Sequence, residues 1–141
     1  MKFMILVPAN KDTEAGVMPT EAELAAMMKF NEELVKAGVM LAGEGLHPSS
    51  KGARISYGAN GKSTVKDGPF TEAKELIAGF WMIQVKSKEE AIAWMSRAPF
   101  PEGTTLEIRQ VFATDDFAAS DPTGEIRKRE EELRRLVEKQ P

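Results

Sequence analysis

Apolar residues gather in two unbroken runs, Phe3–Ala9 and Ile77–Ile83, with amphipathic stretches after each. Lys2 to Pro8 is β-prone and continuously apolar, the pattern of a strand covered on both faces, and predicts a first strand at the centre of a sheet. Thr20 and Glu23 then form a capping-box pair that starts a helix. Its apolar stripe is Leu24, Met27, Phe30, Leu34 and Ala37, and Gly38 ends it. Val39 to Leu46 reads as a second strand, in which Gly43 and Gly45 suggest a bulge or a close approach by another group.

Arg54–Tyr57 and Lys62–Lys66 flank Asn60-Gly61, a pair suited to the positive φ of a tight turn, and predict an inserted or edge hairpin. Asp67-Gly68-Pro69-Phe70 is a turn, followed by one helical turn within Thr71–Leu76 and a strand over Ile77–Val85. Ser87 and Glu90 repeat the capping box for a second helix, buried through Ala91, Ile92, Trp94, Met95 and Ala98 and stopped at Pro99. Leu106–Phe112 supplies the last strand. The expected fold is α+β: a ferredoxin-like split βαβ antiparallel sheet with two helices on one face and an inserted hairpin. Residues 1–117 form this domain. Residues 118–141 form a linker and an extra C-terminal helix, which starts at Asp121-Pro122 and carries Glu130–Arg134 and Glu131–Arg135 pairs. Ile126, Leu133, Leu136 and Val137 make its stripe too thin for an autonomous coiled coil, so an exposed helix is expected that docks on a neighbouring subunit or else frays, docking being favoured.

Composition narrows the class. At 141 residues, 42% hydrophobic and 29% charged, the chain has the make-up of one globular core. Seven-residue apolar runs are far short of the ~20 residues of a membrane helix, and the N-terminus lacks a secretory pattern, so a cytoplasmic protein is expected. A net charge of −3 without a basic, aromatic-interleaved patch argues against nucleic acid as a partner.

With no cysteine and a single histidine, thiolate chemistry is absent and a clustered metal site is not expected. No nucleophile elbow, phosphate-cradling loop or dinucleotide fingerprint is present, and no cofactor is expected. His47, at the end of the second strand, is the best acid–base candidate, because an imidazole titrates near neutrality and a carboxylate such as Glu44 or Asp67 can fix its tautomer. A solvated loop histidine is the plainer alternative. Glu72, Lys74 and Glu75 read as a solvated charge cluster. Phe80, Trp81 and Trp94, with Met27, Met28, Met82 and Met95, read as core.

Gly43-Glu44-Gly45-Leu46, Asp67-Gly68-Pro69-Phe70 with Glu72, Lys74 and Glu75, Gly79-Phe80, and Glu107-Ile108-Arg109 together resemble the YCII-related family, in its DGPF-motif branch, over about residues 1–113. The resemblance implies a ferredoxin-like subunit that pairs through its sheet into a homodimeric α+β barrel, with a small-molecule cavity between sheet and helices. Distant relatives in the superfamily are small enzymes acting on ring-derived metabolites, which implies cofactor-independent isomerisation or elimination. Family enzymes are thought to use a His and Asp pair whose histidine lies in the first helix region; Asn31, Glu32 and Glu33 stand there in this chain, so His47 does not inherit that role by position. Other members of the branch resemble accessory partners of extracytoplasmic-function sigma factors, which implies a noncatalytic, regulatory alternative.

Overall fold

The computed structural model describes residues 1–141. In chain order the elements are β1 (Lys2–Pro8), a helical turn α1 (Lys11–Glu14), α2 (Glu21–Lys36), β2 (Met40–Gly45), β3 (Ala53–Tyr57), β4 (Ser63–Asp67), β5 (Ile77–Gln84), α3 (Lys88–Met95), β6 (Glu107–Gln110) and α4 (Glu125–Glu138). The main sheet has the order β2-β5-β1-β6 with every neighbouring pair antiparallel, so β1 is central as its two-sided apolar run requires. This is the ferredoxin-like α+β arrangement.

Alternation along the strands divides the sheet. Phe3 and Ile5 of β1 stand opposite Ile83 and Trp81 of β5, and all four pack with Phe30 and Leu34 of α2 and Ala91 and Met95 of α3 in one buried cluster. Met4 opposite Met82 and Leu6 opposite Phe80 project the other way, outside that cluster and only half-buried. No helix of the chain covers this second face with a core of its own. The chain exposes 10993 Å², against about 7,200 Å² expected of a monomer of its mass.

Two appendages account for part of the excess. The β3–β4 hairpin is a separate two-stranded sheet, an insertion rather than an edge of the main one, with Ile55, Tyr57 and Val65 exposed. Its tip turns through Asn60 (φ 58°) and Gly61 (φ 72°), as the Asn-Gly pair predicts. The second appendage, α4, leaves Ile126, Leu133, Leu136 and Val137 exposed.

Several expectations shift in detail. Thr20 Oγ1 accepts from the Glu23 amide, but the Glu23 carboxylate takes the Thr20 hydroxyl at 3.2 Å rather than its amide. Ser87 caps α3 through the Glu90 amide, while Glu90 reaches past it to the Lys86 amide. Leu24, Met28 and Ile92 are exposed, so the buried stripes are narrower than the apolar spacing suggests. The register of β2 shifts between Met40 and Ala42, ahead of both glycines.

The C-terminal helix begins at Glu125, not at Pro122, because Gly124 adopts φ 77° and Asp121 caps from a turn upstream. The Asp121 carboxylate accepts from the Ile126 and Arg127 amides and from Arg127 Nε. The Arg127 backbone N–H is the main reason its carboxyl sits below the usual range, against the opposing effect of burial. Glu130 and Arg134 pair at 2.6 Å as their spacing predicts.

Candidate functional site

A cavity of about 550 Å³ opens between the sheet and α2. Its floor is the end of β1 at Val7, the first half of β5 and the last residues of β2; α2 contributes Met27 and Asn31, and Phe100 closes one side. Trp81 forms the inner wall. Its ring meets Phe30 and Phe100 edge-on, each at a centroid distance of 5.9 Å. Gly43 allows this placement: a Cβ there would lie 2.9 Å from Trp81 Cδ1, which is the close approach that the glycine in β2 suggests.

Polar groups are few. Asn31 Oδ1 accepts the Trp81 Nε1–H at 2.9 Å, fixing the amide against the indole. Thr13 also lines the cavity, but its hydroxyl donates to the Asn10 carbonyl and accepts the Asn10 amide, so it is engaged within its own turn. His47 lines the cavity at its exposed rim, on the loop that follows β2. Glu44 also lines it; in the pleat it pairs with Phe80, one position off the Gly43–Trp81 pair, which directs its side chain toward the opposite face. Asp67 does not line the cavity. It ends β4 opposite Ala53 at the foot of the hairpin.

Thus His47 and Glu44 are brought to one cavity, Asp67 is not, and no hydrogen bond joins His47 to either carboxylate. Asn31 is the polar residue that the apolar spacing passes over. Its signal is present in hindsight: Met27, Asn31 and Leu34 fall at i, i+4 and i+7, so an amide interrupts the buried stripe.

Behind the rim, the Asp67–Phe70 turn is tied to the loop carrying His47. Ser49 Oγ donates to the Glu14 carboxylate and accepts the Phe70 amide at 3.0 Å, while the Ser49 amide donates to Glu14 at 3.0 Å. Arg54 stacks over the Phe70 ring at 3.8 Å. Hydrogen bonds from the Ser49 hydroxyl, then from its amide, hold the Glu14 carboxyl below its ordinary value of 4.5. A carboxyl lowered on folding stabilises the fold above its unfolded value, and that contribution disappears as pH falls through the folded one. Wild-type melting temperature is therefore expected to fall more steeply below pH 4.5 than that of Glu14→Gln, measured by thermal unfolding from pH 6 to pH 3.

No helix is long and apolar enough to cross a membrane. Among curated proteins no match was found. The family model described as the YCII-related domain matches residues 1–125, which takes in the whole sheet, both packed helices and every wall of the cavity. The chain belongs to the YCII-related domain family.

Proposed function

We propose that this YCII-related protein is a homodimer that binds a small, mostly apolar molecule in the cavity between sheet and α2, and exchanges protons with it through His47 without a cofactor, in an isomerisation or an elimination. The observation that carries the reading is the cavity itself: about 550 Å³, of the size that holds a small metabolite, apolar along Trp81, Met27 and Phe100, with the only histidine of the chain at its rim. Of the carboxylates proposed to orient His47, Glu44 is the nearer in the chain and adds to the cavity wall, although its side chain is directed to the other face of the sheet. Asp67 lies outside the cavity, at the foot of the hairpin opposite Ala53.

Dimerisation through the second sheet face is supported by the half-buried row of Met4, Leu6, Phe80 and Met82, which no element of the chain seals, and by the excess of exposed surface. In this arrangement the exposed apolar stripe of α4, Ile126, Leu133, Leu136 and Val137, docks on the sister subunit.

The exposed ring of His47, without a carboxylate bonded to it, favours a second reading: a noncatalytic ligand-binding module of a regulatory kind. One experiment separates the two. A Cβ at Gly45 meets nothing within 4 Å, so Gly45→Phe fills the cavity from its wall without backbone conflict. A panel of small unsaturated lactones and ketones is titrated while the Trp81 indole signal is followed by NMR, and double-bond migration is assayed in buffer alone. Gly45→Phe is expected to abolish binding. His47→Asn is expected to keep it and lower turnover by about 100-fold, the range of a lost general acid or base. Binding without turnover in the wild type selects the noncatalytic reading, and absence of binding removes both.

A further inference from the structure

On the reading that this cavity takes a small molecule, we propose that its occupant is an uncharged carbonyl compound with an apolar, ring-sized body, and that Asn31 orients it by donating a hydrogen bond to the carbonyl oxygen. The geometry of one contact leads there. An indole N–H is a donor only, so the Asn31 oxygen must face Trp81 Nε1, and the amide's two N–H groups are turned elsewhere. Nothing in the chain accepts them. Asn31 is half-buried among the cavity walls, and the chain has no sealed, unpartnered polar side-chain atom, so the amide nitrogen is within reach of whatever enters. A donor pinned by its own oxygen has little freedom to turn into an acceptor.

The rest of the lining selects the partner of that donor. No Lys or Arg lines the cavity, and the Glu44 side chain is directed to the other face of the sheet, so a carboxylate or phosphate would give up its hydration with no counter-charge. A cation is served no better, because the inward-facing amide offers N–H groups. Thr13 is spent in its turn, and Val7, Met27, Trp81 and Phe100 supply apolar and aromatic wall. What fits is a neutral acceptor on an apolar ring, with His47 at the other polar end of the site.

Three probes of one shape test this: acetophenone, ethylbenzene and benzoate, titrated into the ¹⁵N-labelled full chain with the Asn31 side-chain amide and the Trp81 indole signals as readouts. Acetophenone is expected to shift both signals and to bind about fivefold more tightly than ethylbenzene, the ratio that one added hydrogen bond supplies. Benzoate is expected to bind more weakly than either. Asn31→Asp keeps an acceptor for the indole but loses the donor; in it the acetophenone preference should fall to about one while ethylbenzene still moves the Trp81 signal. Benzoate binding tightest, or a ketone preference that survives Asn31→Asp, overturns the role of Asn31 and leaves the cavity standing. If none of the three probes moves the Trp81 signal, the cavity reading fails with it. The comparison among probes in the wild type is decisive even if the variant does not fold.

Discussion

On the proposed homodimer, Leu6→Glu is expected to yield a monomer at micromolar concentration, with sedimentation or light scattering reporting 15.5 kDa where the wild type gives twice that mass. Leu6 lies on the central strand, on the sheet face away from the helices, opposite Phe80 on one side and Glu107 on the other. Two such faces meeting across a two-fold axis place both copies of residue 6 in the same interface, so each substitution counts twice. Burying a carboxylate in apolar surroundings beside another acid costs about 2–3 kcal/mol per copy after local relaxation, which together weakens association by about 10³-fold or more. Val35→Glu, on the exposed side of α2, should leave the mass unchanged. A wild-type chain that sediments as a monomer at the same concentration would remove the homodimer from the account.

The second large effect is expected at Gly68. A Cβ there would stand 1.8 Å from the Ser49 carbonyl oxygen and 2.6 Å from its carbon, a collision with backbone that no side-chain rotation relieves. Gly68→Ala therefore forces the Asp67–Phe70 turn away from the loop after His47, and the Ser49 contacts to Phe70 and Glu14 are lost with it. The cost is about 3 kcal/mol, the upper part of the range for overpacked sites, or about 10 °C in melting temperature for a chain of this size. Gly52→Ala adds a Cβ at an ordinary 3.5 Å from the same oxygen and should melt near the wild type. A Gly68→Ala protein that melts within about 2 °C of the wild type would show that this turn is not held against Ser49 in solution.

The contrast between Gly68 and His47 shows where sequence reasoning reaches. Strand and helix positions are set by period, and the two apolar runs, the Thr20 and Ser87 caps and the Asn60-Gly61 turn are local signals that the fold obeys. Their consequence, the central place of β1, follows from its two-sided apolarity. The site is different in kind. Asn31 and Trp81 are 50 positions apart and meet only because α2 lies across β5; Glu14 and Ser49 are 35 apart and meet through a short helical turn that no apolar periodicity marks. His47 and Glu44 could be placed near one cavity because they are neighbours in sequence. Asp67, equally acidic and equally close to a glycine, falls outside it because β4 belongs to the hairpin rather than to the sheet. Spacing shows which face a residue shares with its neighbours, but not which distant element covers that face.

Strand β5 carries Trp81 on the helix-covered face and Phe80 on the other, consecutive residues on one backbone. On the proposed homodimer, a guest held against Trp81 and Asn31 and a sister chain held against Phe80 would bear on adjacent residues of one strand. Occupancy and association are then thermodynamically linked, and the linkage runs equally in both directions. Dilution would loosen the grip on the guest, and saturation with guest would hold the pair together at concentrations where empty subunits part.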